Sequence, residues 1–81
     1  MEITPGTVVF SKAGRDKNNM FIVLSVDEKF AYITDGDLRK VEKPKKKKLI
    51  HLQRTKNVLQ IESDIITNSE VRRLLAQYKS V

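Results

Sequence analysis

Eighty-one residues are enough for one small domain with a thin core. The absence of cysteine excludes a disulfide framework and thiolate chemistry, which suits a reducing cytoplasm, and one histidine without cysteine excludes the common zinc sites. The formal charge of +6 is unevenly spread: residues 1–42 carry 6 Lys/Arg and 7 Asp/Glu, residues 43–56 carry 7 Lys/Arg and no acid, and residues 57–81 carry 3 of each. A near-neutral body with one focused cationic segment predicts a polyanionic partner better than a diffuse high pI does.

The lead-in, Met1–Pro5, lacks a basic segment followed by an apolar run, so no signal peptide is expected. The longest apolar run, Met20–Leu24, is too short to span a bilayer. Pro5-Gly6 reads as a turn. Val8–Ser11 and Met20–Val26 are rich in β-branched and aromatic residues and predict two antiparallel strands. On the first, Val8 and Phe10 share one face and Thr7, Val9 and Ser11 the other. On the second, Met20, Ile22, Leu24 and Val26 point one way and Phe21 and Val23 the other, so both faces need cover. The connector Lys12–Asn19 is charged and turn-rich. Within it Gly14 takes a positive φ at no steric cost, and Asn tolerates one better than most residues. A turn with exposed amides near Gly14 and the cations Lys12, Arg15 and Lys17 is a candidate anion site.

Asp27-Glu28-Lys29 is a polar turn into a third strand, Phe30–Thr34. Asp35-Gly36-Asp37 is a hairpin signal, which makes Leu38–Val41 a fourth strand. Pro44 interrupts any ladder, leaving Lys45–Lys48 as a solvated loop or a frayed strand edge. Leu49–Gln53 reads as a fifth strand, and five short strands suit a small barrel. Val58–Ile66 fits neither period cleanly and reads as short helical or irregular. Val71, Leu74, Leu75 and Tyr78 fall on a helical stripe. Thr67 with Glu70 is a capping-box signature that starts the helix near Asn68. The expected organisation is a barrel over residues 3–54 and an extension over 55–81 with a helix over about 68–79, its stripe packed on the outer face of strand two.

Gly6, Val8, Val9, Ser11 and Ala13-Gly14-Arg15-Asp16-Lys17, followed by an apolar strand, resemble a KOW motif, the RNA-binding strand–loop–strand of several ribosomal proteins and of NusG-type transcription factors. Asp35-Gly36-Asp37-Leu38-Arg39-Lys40 and Glu42-Lys43-Pro44-Lys45 through His51-Leu52-Gln53 narrow the likeness. They are similar to the small bacterial KOW proteins related to the large-subunit ribosomal protein L-fourteen-e. The resemblance covers roughly residues 3–54. It implies a mainly β chain, a five-stranded SH3-like barrel, and RNA binding, with ribosomal RNA or the ribosome as partner. Family members often carry glycine after the motif lysine, where this chain has Asn18.

Lys43–Lys48 is the sharpest chemical feature. Lysines are flexible point charges that suit phosphate and read base edges poorly; the same run also reads as a solvated, solubilising loop. Arg15 and Lys17 flank Gly14 and would meet phosphate there, or pair with Asp16, or stay in water. His51, between Ile50 and Leu52 on a strand, would face away from both, stacking on a base or donating to phosphate, or simply standing half-exposed. Tyr32 is the aromatic best placed to stack, although core packing explains it as well. The candidate RNA contacts are therefore Lys12, Arg15, Lys17 and Asn18 in the first loop, Arg39 and Lys40 beside the second turn, and Lys45, Lys46, Lys47, Lys48, His51 and Arg54 in the basic segment. The Arg15/Lys17 loop and the lysine run are expected to form one continuous cationic face.

No nucleophile turn or phosphate-cradling glycine loop is present, so neither an enzyme nor a cofactor is expected. The competing class is an SH3-like protein-interaction module whose basic run meets an acidic protein.

Overall fold

Period-two stretches of β-branched and aromatic residues form the centre of the protein, and each apolar face they create is covered. The computed structural model describes residues 2–62 and 65–79, the side chain of Lys79 excepted. The strands are β1 (Thr7–Ser11), β2 (Met20–Val26), β3 (Phe30–Thr34), β4 (Lys45–Lys48) and β5 (Leu52–Val58). A 3-10 turn, Leu49–His51, joins β4 to β5, and one helix, α1 (Asn68–Lys79), follows. The strands make a single antiparallel sheet in the order β4-β3-β2-β1-β5, with β4 and β5 as its two edges. The ladder does not close on itself. Among the described residues no helix is long and apolar enough to cross a membrane.

β2 is the hub, as its two-faced pattern predicts. Val8 lies opposite Ile22 and Val9 opposite Phe21, so the two faces separate cleanly. One face gathers Val8, Ile22 and Leu24 with Val71 and Leu75 of α1. The other gathers Val9, Phe21, Val23, Ala31, Ile33 and Leu52, with Ile3 and Leu49 against them. Phe21, Ile22, Val23 and Val71 are all fully buried. α1 covers its share of the sheet through the expected stripe, and Leu74 and Tyr78 pack at the margin. Its N-terminus carries the expected cap: the Thr67 hydroxyl accepts the Glu70 N–H at 3.2 Å.

Four sequence expectations change. Leu38–Val41 is not a strand but part of a loop, because side chains rather than a partner strand satisfy its backbone. Asp35 Oδ1 accepts the N–H groups of Asp37 and Arg39 at 2.9 and 2.8 Å, and the Val41 N–H goes to Asn68 Oδ1 at 2.8 Å. Lys45–Lys48 is a regular strand, with Ile33 opposite Lys45 and Ala31 opposite Lys47. Four lysines are poor strand formers, yet the open edge of β3 needs a partner. Lys45, Lys46 and Lys48 are exposed, and Lys46 Nζ sits 4.4 Å from the centre of the Phe30 ring. A lysine edge also deters sheet-to-sheet association.

Leu49–His51 is the 3-10 turn, so β5 starts at Leu52 and runs on to Val58. Finally, a bulge between Val23 and Ser25 reverses the alternation of β2, and Val26 pairs with Ala31 instead of continuing the Ile22 face. In the stretch read as helical or irregular, Ile65 and Ile66 donate to the Glu62 carbonyl in a turn; residues 63 and 64 of that stretch lie outside the described residues.

Candidate nucleic-acid interface

The first loop, residues 12–19, is a set of tight turns rather than an open connector. The Lys17 N–H donates to the Gly14 carbonyl at 3.2 Å, Asn19 N–H to Asp16 O at 2.9 Å, and Asn18 N–H to Ser11 O at 2.8 Å. This winding requires left-handed backbone at Gly14 (φ 75°) and Asn18 (φ 72°), the residue types that tolerate it best. The charged side chains Lys12, Arg15 and Lys17 are left exposed.

Asp16 is the exception. Its side chain is 7% exposed and pairs with Arg39 Nη2 at 3.0 Å. That pair ties the first loop to the second, residues 35–44. The Arg39 Nε is buried without a partner among the described residues, so the guanidinium serves the fold as much as the surface. A second tie comes from β4: Lys47 Nζ donates to the Ala13 carbonyl at 2.9 Å. The first loop, the second loop and the lysine strand therefore converge at one place.

The second loop is clasped by α1. The Asn68 side chain accepts the Val41 N–H and donates to both Glu42 oxygens at 2.8 and 2.9 Å. Arg72 Nη1 donates to the Gly36 carbonyl. The Asn68 amide is the largest reason the Glu42 carboxyl lies below its ordinary value.

Between the loop and β4 lies an open depression of about 500 Å³, walled by Arg39, Lys40, Lys43, Lys45 and Lys46 with Leu38 and Pro44. Among the described residues, five cations and no carboxylate line it. Such a concave, single-sign surface concentrates field and attracts polyanions.

The candidate contacts distribute as follows. Arg39, Lys40, Lys45 and Lys46 line the depression. Arg15, Lys17 and Asn18 are exposed on the adjoining first loop, while Lys47 is half-buried and engaged with that loop. Strand alternation divides the lysine run, placing Lys46 and Lys48 opposite Tyr32 and Phe30 and Lys45 and Lys47 opposite Ile33 and Ala31. His51 is half-buried on the 3-10 turn, not on a strand, and its carbonyl accepts the Lys12 N–H at 2.7 Å. Lys12 and Arg54 line a different groove. Tyr32 is half-buried.

Sequence reasoning leaves Lys43 out of the candidate contacts and gives Asp16, Asn68 and Arg72 no part in the interface. Lys43 belongs to the basic run and could have been included on charge alone. The other three act through partners far along the chain, and Asn68 carries a local signal only as the start of a helix.

Valine at Gly14 tests how much the loop winding matters. Left-handed strain should cost about 1–2 kcal/mol. The new Cβ would meet Lys47 Nζ at 3.3 Å, a flexible tip that can move aside. An unchanged melting temperature would show that the loop does not need glycine.

No family model matches the chain, and no curated protein matches it either.

Proposed function

We propose that this chain is an RNA-binding module that holds an RNA backbone against the cationic depression and the adjoining first loop. The observation that carries the reading is the convergence of Arg39, Lys40, Lys43, Lys45 and Lys46 around one depression, with Arg15 and Lys17 on the loop tied to it through Asp16 and Arg39. Lysine contacts to phosphate position a nucleic acid without reading its sequence, and among these cations Arg15, exposed and planar, is the one suited to stack on an unpaired base. The resemblance to KOW proteins favours ribosomal RNA and a cytoplasmic role in translation.

An SH3-like barrel architecture belongs to the same proposal. Three observations support it. The fifth strand returns to pair with the first, a 3-10 turn precedes it, and the sheet face away from α1 is buried with little among the described residues to cover it but Ile3, Leu49 and Leu52. A sheet buries such a face by bending over it. The 3-10 turn spans the open side, taking the Lys29 carbonyl at Leu49 N–H (2.9 Å) and giving the His51 carbonyl to Lys12.

The rival reading, an acidic protein on the basic run, draws on the four consecutive lysines of the edge strand β4, which carboxylates of a partner could meet. Affinity capture with and without ribonuclease separates the two, followed by crosslinking and sequencing of the bound RNA. Capture of RNA crosslinked at residues 39–46 or 15–17 supports RNA binding. A partner that survives ribonuclease, with no RNA crosslinked to those residues, replaces the RNA reading with the protein one.

A further inference from the structure

Asp16 is the only acid in the first loop, and it stands between Arg15 and Lys17. Both neighbours are exposed, while the Asp16 side chain is buried against Arg39. A carboxylate at the surface between those two cations would repel phosphate. Burial takes it out of the surface and sets it 3.0 Å from Arg39 Nη2. A charge-assisted hydrogen bond of this kind is strong and directional.

Both ends of the pair are anchored. The Arg39 N–H donates to Asp35 Oδ1 at 2.8 Å. The Arg39 carbonyl accepts the N–H groups of Asp35 and Gly36 at 3.0 and 3.2 Å, and the Thr34 hydroxyl as well. On the other side, the Asp16 carbonyl accepts the Asn19 N–H at 2.9 Å within the wound loop. The bond from Lys47 Nζ to the Ala13 carbonyl grips the same loop from β4. Ala13 and Asp16 lie on either side of Gly14 and Arg15, so the loop is held at two points that bracket its exposed arginine. The pair therefore joins two fixed bodies. One is the loop with Arg15 and Lys17, and the other is the depression with Lys40, Lys43, Lys45 and Lys46.

We propose that Asp16 is a positioning residue for RNA: through Arg39 it fixes the spacing of the first loop and the depression, so that one strand meets both surfaces at once. The proposal rests on the RNA reading and adds the class of RNA that binds best, strands long enough to span the two surfaces. Once such a strand occupies one surface, it meets the second at high effective concentration. A loop freed from Arg39 would have to be ordered on binding, which weakens the second contact. The sign of the effect is what distinguishes positioning from simple charge. Removing an acid from a cationic face ordinarily strengthens its hold on a polyanion. Removing Asp16 should weaken the hold on long strands.

The test is binding of the full-length protein to oligouridine in low salt, over lengths from about four to about sixteen nucleotides. Wild-type affinity should step up at the length that spans both surfaces. Asp16→Asn should lose about tenfold for strands beyond that step and bind the shortest strands as well as wild type or better. The readout is the ratio of long-strand to short-strand affinity, which a uniform loss of folded protein does not move. The double variant Asp16→Asn, Arg39→Gln leaves no unpaired partner and keeps the net charge, and its ratio should fall in the same way. Tighter binding of Asp16→Asn at every length would reduce Asp16 to surface repulsion. Equal loss at every length would reduce it to a residue of the fold. An unchanged ratio, or a wild-type affinity that rises with length without a step, also overturns the proposal. In all these cases wild type still binds RNA, so the RNA reading stands; wild type that binds oligouridine at no length would sink that reading and the proposal with it.

Discussion

Changing Lys43, Lys45 and Lys46 together to glutamine should weaken RNA binding roughly a hundredfold near 0.1 M salt and lower the log–log salt slope by about 2. The size follows from counterion release. Each phosphate contact on a single strand contributes about 0.7 to the slope, so three contacts contribute about 2 in slope and a similar number of decades in affinity at that salt. All three side chains are exposed, so glutamine should leave the fold intact, apart from the modest loss of the Lys46–Phe30 contact. The loss should be alike for all RNAs, because lysine reads phosphate and not bases. Arg15→Ala should instead change which RNAs are preferred. Lys29→Gln, in the β2–β3 turn and outside the depression, serves as the control for loss of one lysine charge elsewhere and should change affinity much less than any one of the three. A triple variant with wild-type affinity and slope would remove the depression from RNA binding.

Valine at Gly36 should be the most damaging single change to the interface, although residue 36 contacts no RNA in the proposed arrangement. Gly36 has φ 75°, and a Cβ there would lie 2.5 Å from the Asn68 carbonyl oxygen and 3.1 Å from the Val71 Cβ. Left-handed strain contributes about 1–2 kcal/mol and overpacking a further ~1–3 kcal/mol. Against about 4–12 kcal/mol for a chain of this length, that is a large fraction of stability. To relieve the clash, α1 must shift. The bonds from Asn68 to Val41 and Glu42 would then break, and Val71 and Leu75 would lift from the cluster over β2. The measurements are the melting temperature, the Asn68 side-chain amide resonances and RNA affinity. All three should change together. A Gly36→Val protein with unaltered Asn68 resonances would mean that the helix does not lock the loop.

Both results depend on the same feature of the fold: α1 is a clasp on the cationic loop as well as a lid on the sheet. Asn68 is legible in the sequence only as a helix start, because Thr67 and Glu70 mark the cap three residues apart. That its amide would bridge Val41 and Glu42, 27 and 26 positions earlier, has no local signature.

Local chemistry alone determined a good deal. Runs of β-branched and aromatic residues placed β1, β2 and β3, because pleated backbone accommodates their branched side chains. The unbroken apolar run of β2 announced cover on both faces, and the periodicity of Val71, Leu74, Leu75 and Tyr78 placed α1. Gly14 and Asn18 marked left-handed turns, since few other residues bear a positive φ. The clustering of positive charge pointed to a polyanion without showing its geometry. Tertiary structure decided the remainder. Lys45–Lys48 became a strand because β3 offered an open edge, overriding a weak strand propensity. Leu38–Val41 became a loop because Asp35 and Asn68 satisfied its backbone first. The β2 bulge turned Val26 out of the Ile22 face. The cationic depression exists because Arg39 reaches Asp16 and Lys47 reaches Ala13, 23 and 34 positions away. Contacts across such distances leave no periodicity in the chain, so only folding brings them together.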